Sequence, residues 1–232
     1  YFLIYKMTLI KDIINQNKRL SDISKVISEL SDEAQISSYL VGGCVRDLMR
    51  NPLDDAIDVD IMVEGDGIAF AKKLAEKINV PKIIPFEKYA TAKIPYNKFE
   101  IEVASARIET YDKTSRSPSE VIISNIEHDL KRRDFTVNAM AVSLNKRNFG
   151  EFFDPFKGMK DLNNKILRTP HNPDTTFSED PLRMMRAAYF ASKLSMDIEP
   201  RCLESIKHNA ERIIIVSQER KTNELLKILD TE

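Results

Sequence analysis

Residues 57–63 read Ile-Asp-Val-Asp-Ile-Met-Val, and the alternation at the start of that run dictates an extended strand with two unlike faces. Asp58 and Asp60 then leave the strand on the same side, roughly 7 Å apart along it. Two like charges placed so repel each other, and packing of the opposite apolar face gives no reason for them. Alone, an Asp-X-Asp pair is more often the solvated acidic face of an edge strand than a site. A second run changes that weighing. Phe99-Glu100-Ile101-Glu102-Val103 alternates in the same way, so a neighbouring strand adds Glu102 as a third carboxylate, with Glu100 on the same face. A divalent cation resolves the repulsion, and Mg²⁺ suits it: a hard ion that takes oxygen ligands and shares them with substrate phosphates.

Upstream, Ser38-Tyr39-Leu40-Val41 is a short β-type run that ends at Gly42-Gly43, before a helix carrying Arg46 and Asp47. Glycines at such a turn let backbone N–H groups approach a ligand, and a helix N-terminus favours phosphate. The carboxylates and the glycine turn together make a metal–triphosphate constellation.

Along the chain, helical spacing of apolar residues from about Leu9 to Leu30 predicts one or two amphipathic helices. Helix is predicted again over 67–78 and strand over 82–84, then a hairpin of 90–94 with 99–104 around Pro95-Tyr96-Asn97. Residues 110–119 read as an exposed polar loop. Helix resumes at Ile126, followed by strands near 140–144 and 150–153. Beyond Thr169 strand signals stop, and 181–194, 201–209 and 218–229 read as helices. The expected domains are an N-terminal helical segment 1–36, an α/β head 37–168 and a helical continuation 169–232.

The 232 residues are 42% apolar and 31% charged, the composition of a folded globular protein. Net charge is −1, so contact with nucleic acid must come from local basic clusters or from elsewhere in a longer protein. Cys44 and Cys202 lie far apart with no CxxC spacing, against a zinc ribbon or disulfide scaffold. His128-Asp129 matches the His-Asp pair of metal phosphohydrolases, but three histidines are too few for that site. The apolar opening Tyr1–Tyr5 is too short to span a bilayer and has no cleavage signature, so no membrane association is expected. Met7 is read as the natural start, and the cytoplasm as the compartment.

Read together, Gly42-Gly43-Cys44-Val45-Arg46-Asp47 and Asp58-Val59-Asp60 resemble the first motif of the class II tRNA nucleotidyltransferase and bacterial poly(A) polymerase family. The run 132–141, Arg-Arg-Asp-Phe-Thr-Val-Asn-Ala-Met-Ala, matches that family's second motif almost residue for residue. Asp154-Pro155-Phe156 through Gly158 to Asp161-Leu162 resembles the third, Glu179-Asp180-Pro181-Leu182-Arg183 through Arg186-Ala187 the fourth, and Glu219-Arg220 with Glu224-Leu225 and 227–229 the looser fifth. They follow family order from about Tyr39 to Leu229.

The resemblance implies a head with a mixed, mainly antiparallel sheet of the DNA polymerase β superfamily, followed by an α-helical neck. It implies CCA addition to tRNA lacking its 3′ CCA end, from CTP and ATP. Asp58 and Asp60 would hold two Mg²⁺ ions, with Glu102 as the third catalytic carboxylate. One ion would activate the primer 3′-hydroxyl, and the other would neutralise the triphosphate and leaving pyrophosphate. Gly43 and Arg46 would contact the triphosphate. Arg133, Asp134 and Asn138 would bind phosphates and ribose, with Arg186 also at the nucleotide.

Asp180 and Arg183, three apart on an expected helix, would read the base. An ionised Asp only accepts and Arg only donates, which suits the donor–acceptor order of cytosine and adenine and leaves buried groups unpaired against uracil and guanine. The bland alternative is a helical salt bridge. The sequence departs from the family at Lys157, where a second glycine is usual, and at Tyr189, where arginine is frequent. Family members continue beyond this length into regions that grip tRNA, so weak tRNA binding is expected of these residues alone. The alternatives are a poly(A), CC-only or A-only polymerase of the same chemistry, and a catalytically silent RNA-binding domain.

Overall fold

Strand Val59–Val63 has one face buried in the core through Val59, Ile61 and Val63, and Asp60 half-buried on the other, as its alternation requires. It is β2 of a seven-stranded sheet whose strands are β1 (Ser38–Val41), β2, β3 (Ile84–Phe86), β4 (Thr91–Tyr96), β5 (Phe99–Ser105) and, after a separate two-stranded ribbon of β6 (Arg107–Tyr111) and β7 (Pro118–Ile123), β8 (Ala141–Ser143) and β9 (Phe152–Phe153). Their spatial order is β3-β4-β5-β2-β1-β8-β9. Every pairing in this sheet is antiparallel except β2 with β5. The sheet is therefore mixed and mainly antiparallel. The structure is a computed structural model and describes residues 10–52, 58–111 and 118–231.

Helices α1 (Leu20–Ala34), α2 (Gly43–Arg50) and α3 (Gly67–Lys77) bury their apolar sides in the same core. Asp66 caps α3 by accepting from the N–H groups of Ile68 and Ala69, both at 3.0 Å. Gly67 then lies directly against β5: a Cβ there would stand 2.6 Å from the Ser105 nitrogen and 2.8 Å from the Ala104 carbonyl carbon. Both are backbone atoms and cannot swing aside. Gly67→Ala is expected to cost about 1–3 kcal/mol by overpacking, measured by denaturant unfolding; an unchanged midpoint would exclude the close approach.

The described residues fall into two compact units. One is drawn from within Tyr1–Ile108, Val121–Leu130 and Met140–Pro155, and includes α4 (Ile126–Lys131) up to Leu130; the other is drawn from within Glu109–Glu120, Lys131–Ala139 and Phe156–Glu232. This division differs from boundaries at 36/37 and 168/169. The N-terminal helix α1 packs on the head, while 131–139 and the stretch after Phe156 join the helical unit.

The second unit contains α5 (Gly158–Asn164), β10 (Ile166–Leu167), α6 (Pro173–Glu179), α7 (Leu182–Leu194), β11 (Asp197–Ile198), α8 (Pro200–Asn209) and α9 (Gln218–Leu229). Its core gathers Phe135, Val137, Leu167, Phe177, Met184, Ala187, Phe190, Leu194 and Met196. Helix α6 starts as its sequence says it should, with Asn172 capping the N–H groups of Asp174 and Thr175 and Pro173 in the first turn.

Three expectations are corrected here. A strand does occur beyond Thr169, because Asp197–Ile198 pairs in parallel with β10; two residues carry too little alternation to read. The flanks of the expected 110–119 loop are the paired strands β6 and β7, and residues 112–117 lie outside the described residues. The hairpin turns at Asn97-Lys98, not at Pro95: Pro95 pairs with Glu100 inside the ladder, and Asn97 takes the left-handed conformation at φ 53°.

Candidate active site

The parallel pairing of β2 and β5 places Asp60 opposite Glu102. Residues directly opposite each other in a ladder project to the same face, with strand axes about 4.8 Å apart. Both carboxylates are half-buried, and Asp58, just before β2, is exposed. Two acids from strands nearly forty residues apart in sequence thus share one open face. Among the described residues, no three His, Cys, Asp or Glu side chains converge tightly enough to hold an ion by themselves.

Beside β2 runs β1, which ends at the glycine turn. Gly42 adopts φ 69°, ψ −134°, a conformation that side-chain-bearing residues rarely take, and its N–H donates to the Met140 carbonyl at 3.2 Å. Helix α2 starts at Gly43. Arg46 is buried, and its guanidinium stands against Gly43: Nη2 lies 3.4 Å from where a Cβ would be. The Asp47 carboxylate accepts from two nitrogens of that guanidinium, Oδ1 from Nε at 2.9 Å and Oδ2 from Nη2 at 2.7 Å. The acidic surroundings are felt by Cys44, whose thiol is pushed up by burial and then by the charge of Asp60. Such a thiol is a packing group, not a nucleophile.

Lys93 is not among the residues that the sequence motifs single out. It lies on β4 opposite Glu102, and its Nζ reaches Glu100 Oε2 at 2.8 Å. That hydrogen bond, and beyond it the charges of Glu100, Glu102 and Asp60, raise its pKa. The signal was present in Thr91-Ala92-Lys93-Ile94, where alternation sets Lys93 on the face away from Ala92 and Ile94.

In the second unit, residues 131–139 are not the continuous helix that the apolar pattern suggests. Only Thr136–Asn138 forms a single 3₁₀ turn, since Phe135 is extended. Phe135 and Val137 enter the core, and Thr136 donates to the buried Asp161 carboxylate at 2.7 Å, itself bound by Arg168 at 2.8 Å. Asp134 is the hub. Its Oδ1 accepts from the Phe135 N–H at 2.8 Å and from Asn138 Nδ2 at 3.0 Å; its Oδ2 accepts from Arg186 Nε at 2.8 Å and Nη2 at 2.6 Å. Burial acts to raise the Asp134 pKa, but the Arg186 charge and the Asn138 hydrogen bond outweigh it, and the group titrates below its ordinary value. Four donors fill the acceptor capacity of one carboxylate. Arg133 Nη1 lies 3.5 Å from the Asn138 carbonyl oxygen.

Asp180 and Arg183 are differently placed from a helical i, i+3 pair. Asp180 precedes α7, with extended backbone, and its Oδ1 caps the Leu182 N–H at 3.1 Å. A proline at 181 explains this, since the residue before proline is pushed out of helical geometry. Arg183 is buried, donating from Nη1 to the Thr176 carbonyl at 3.2 Å and from Nη2 to the Arg132 carbonyl at 2.8 Å, with Glu179 Oε2 at 3.5 Å. Burial raises the Glu179 pKa, and the Arg183 charge offsets part of that rise.

Known proteins show which family the chain belongs to. The family model of the poly(A) polymerase head domain matches residues 38–168, more than half of the chain. The chain belongs to the poly(A) polymerase head family. A second model, a probable RNA- and SrmB-binding site of polymerase A, matches 195–232. Relatives include an A-adding tRNA nucleotidyltransferase of Aquifex aeolicus, 40% identical over 70% of this chain and 19% of that protein. A CCA-adding enzyme of Lactobacillus helveticus is 36% identical over 85% of this chain and 47% of that protein. The chain thus spans between about a fifth and a half of their lengths. Among solved structures, an apo CCA-adding enzyme superposes with TM-score 0.82 at 31% identity, over 96% of this chain and 52% of that one. A CCA-adding enzyme in complex with CTP gives 0.80 at 30%, over 96% and 50%. Among the described residues no helix is long and apolar enough to cross a membrane.

Within the poly(A) polymerase head family this chain's lysine at 157 has a visible consequence. Lys157 sits before α5 in the left-handed region, φ 61° and ψ 34°, where glycine is unstrained. Lys157→Gly is expected to raise stability by about 1 kcal/mol, the usual relief for one left-handed residue, read as an increase in melting temperature. A fall in melting temperature would show the lysine side chain to be a net stabiliser.

Proposed function

We propose that the chain is the catalytic portion of a tRNA nucleotidyltransferase that adds CCA to tRNA lacking its 3′ CCA end, using CTP and ATP. The observation that carries this reading is the β2–β5 register, which sets Asp60 beside Glu102 on an open sheet face one strand from the Gly42–Gly43 turn. Asp58, Asp60 and Glu102 are hard oxygen donors and fit Mg²⁺. Such an ion, when bound, supplies activation of the 3′-hydroxyl and neutralisation of the triphosphate and pyrophosphate. Gly43 allows close approach of the backbone to the triphosphate, and Arg46 brings a cation to the same helix end. Asn138 and Arg186 address the nucleotide's ribose and phosphates, with Arg133 beside them. Asp134, whose acceptors are filled, orients Asn138 and Arg186 and holds the latter charged. Asp180 and Arg183 select the base by the acceptor and donor they offer. The cytoplasm follows from a tRNA substrate.

The relatives support transfer to tRNA but divide on its product, and the 40% identity to an A-adding protein favours A-only addition as the second reading. One experiment separates them. A tRNA without CCA and one ending in CC are offered with Mg²⁺ and each labelled nucleoside triphosphate, singly and together, and the product ends are sequenced. CCA on the first substrate supports the proposal; a single A on the second alone supports the A-only reading. A run of A supports a poly(A) polymerase, and no product with any substrate overturns the assignment.

Selectivity has its own test. Asp180→Asn keeps an oxygen to cap Leu182 but adds an amide donor, so discrimination of C and A from U and G is expected to fall roughly tenfold or more. Unchanged product sequences would make Asp180 a cap only.

A further inference from the structure

We propose that Lys93 binds the primer strand, its ammonium taking the phosphodiester next to the 3′ end that is being extended. This rests on the two-metal reading of Asp58, Asp60 and Glu102. The ladder β4-β5-β2 sets Lys93 opposite Glu102 and Glu102 opposite Asp60, so three charged side chains form a row on one face of the sheet. The next strand, β1, ends in the Gly42–Gly43 turn. Across the face the order is therefore lysine, glutamate, aspartate, glycine turn. Phosphoryl transfer has its attacking and leaving oxygens in line, on opposite sides of the phosphorus. A triphosphate whose pyrophosphate end lies at the glycine turn is attacked from the other end of that row, where Lys93 stands. The group that arrives there is the RNA 3′-hydroxyl with the backbone behind it, and that backbone is anionic at every residue.

Glu100 holds the lysine in the meantime. The Lys93–Glu100 pair, at 2.8 Å, is solvent-accessible on both sides, with side-chain exposures of 35% and 52%. Such exposed pairs are weak and readily exchanged for another anion. A lysine that only balanced Glu100 and Glu102 would leave RNA binding unchanged when replaced, and the test exploits this difference.

The full 232-residue chain, with Mg²⁺ and CTP, is titrated with a fluorescent tRNA acceptor-stem RNA carrying a 3′-deoxy end, over a series of KCl concentrations starting low. For Lys93→Met the slope of log Kd against log salt is expected to fall by about 0.7–0.9, one phosphate contact. Lys93→Arg retains the slope, and the CTP affinity of both variants equals that of the unaltered chain. An unchanged slope in Lys93→Met overturns the proposal, as does no measurable RNA binding by the unaltered chain. Weakened CTP binding with unchanged RNA binding also overturns it, since the lysine then serves the carboxylates or the triphosphate. Asp60→Asn in parallel reports on the underlying reading. If Mg²⁺-dependent CTP binding survives that change, the metal assignment fails, while a lost slope in Lys93→Met still establishes the RNA contact.

Discussion

Asp60→Ala is expected to reduce nucleotide incorporation at least about a thousandfold, a loss of about 4 kcal/mol of transition-state stabilisation, while the protein remains folded. Asp60 and Glu102 are neighbours across a strand pair, two carboxylates on one face. Removing Asp60 relieves its repulsion with Glu102 but forfeits its attraction to Lys93, so the melting temperature in the absence of Mg²⁺ should change little. A clear fall relative to the unaltered chain is expected with Mg²⁺ and CTP present: ligand binding stabilises the unaltered chain and not the variant. Single-turnover primer extension and paired thermal melts measure the two effects. Incorporation within tenfold of the unaltered chain would remove Asp60 from the chemistry and return the strand to a solvated acidic face.

The second large effect is on stability. Arg186→Met is expected to destabilise the helical unit by about 3–5 kcal/mol near neutral pH, because it leaves the buried Asp134 carboxylate without its cation. In the unaltered chain Asp134 titrates below its ordinary value, so its contribution is fully present above the unfolded pKa and is lost as pH falls through the folded one. In the variant, burial without the guanidinium pushes the same group upward, and protonation then relieves the folded state. The deficit between the two proteins should therefore shrink as the solution is acidified. Urea unfolding at several pH values tests it; a deficit independent of pH would locate the loss in packing of the arginine stem over Phe190, whose ring centroid lies 5.1 Å from the guanidinium carbon.

How much of this was readable from residues alone depended on the range of the cause. Alternation is local, so the two-faced character of β2 and β5 was legible, and with it the shared face of Glu100 and Glu102. Their neighbourhood was legible too, but the parallel direction and the register that sets Asp60 against Glu102 were not, because a ladder between residues 59–63 and 101–105 is set by the whole sheet. Lys93 was overlooked although its own alternation and the hairpin that pairs it with the Glu102 strand were both in view. The Asp134 hub combines a residue of the second motif with Arg186 of the fourth, fifty-two positions on, and no spacing rule links them. Asp180 was misjudged through a local signal that was available, the proline that follows it. The helix expected over 131–139 failed because apolar spacing there reflects Phe135 and Val137 dropping into a core from an irregular segment.

The register of β2 against β5 has one further consequence. Side chains alternate with a period of two, so a slip of one residue would drive Glu100 and Glu102 into the core and turn Ile101 and Val103 outward. That exchange would oppose hydrophobic burial, so the packing that holds this strand pair in register is also what keeps Asp60 and Glu102 side by side.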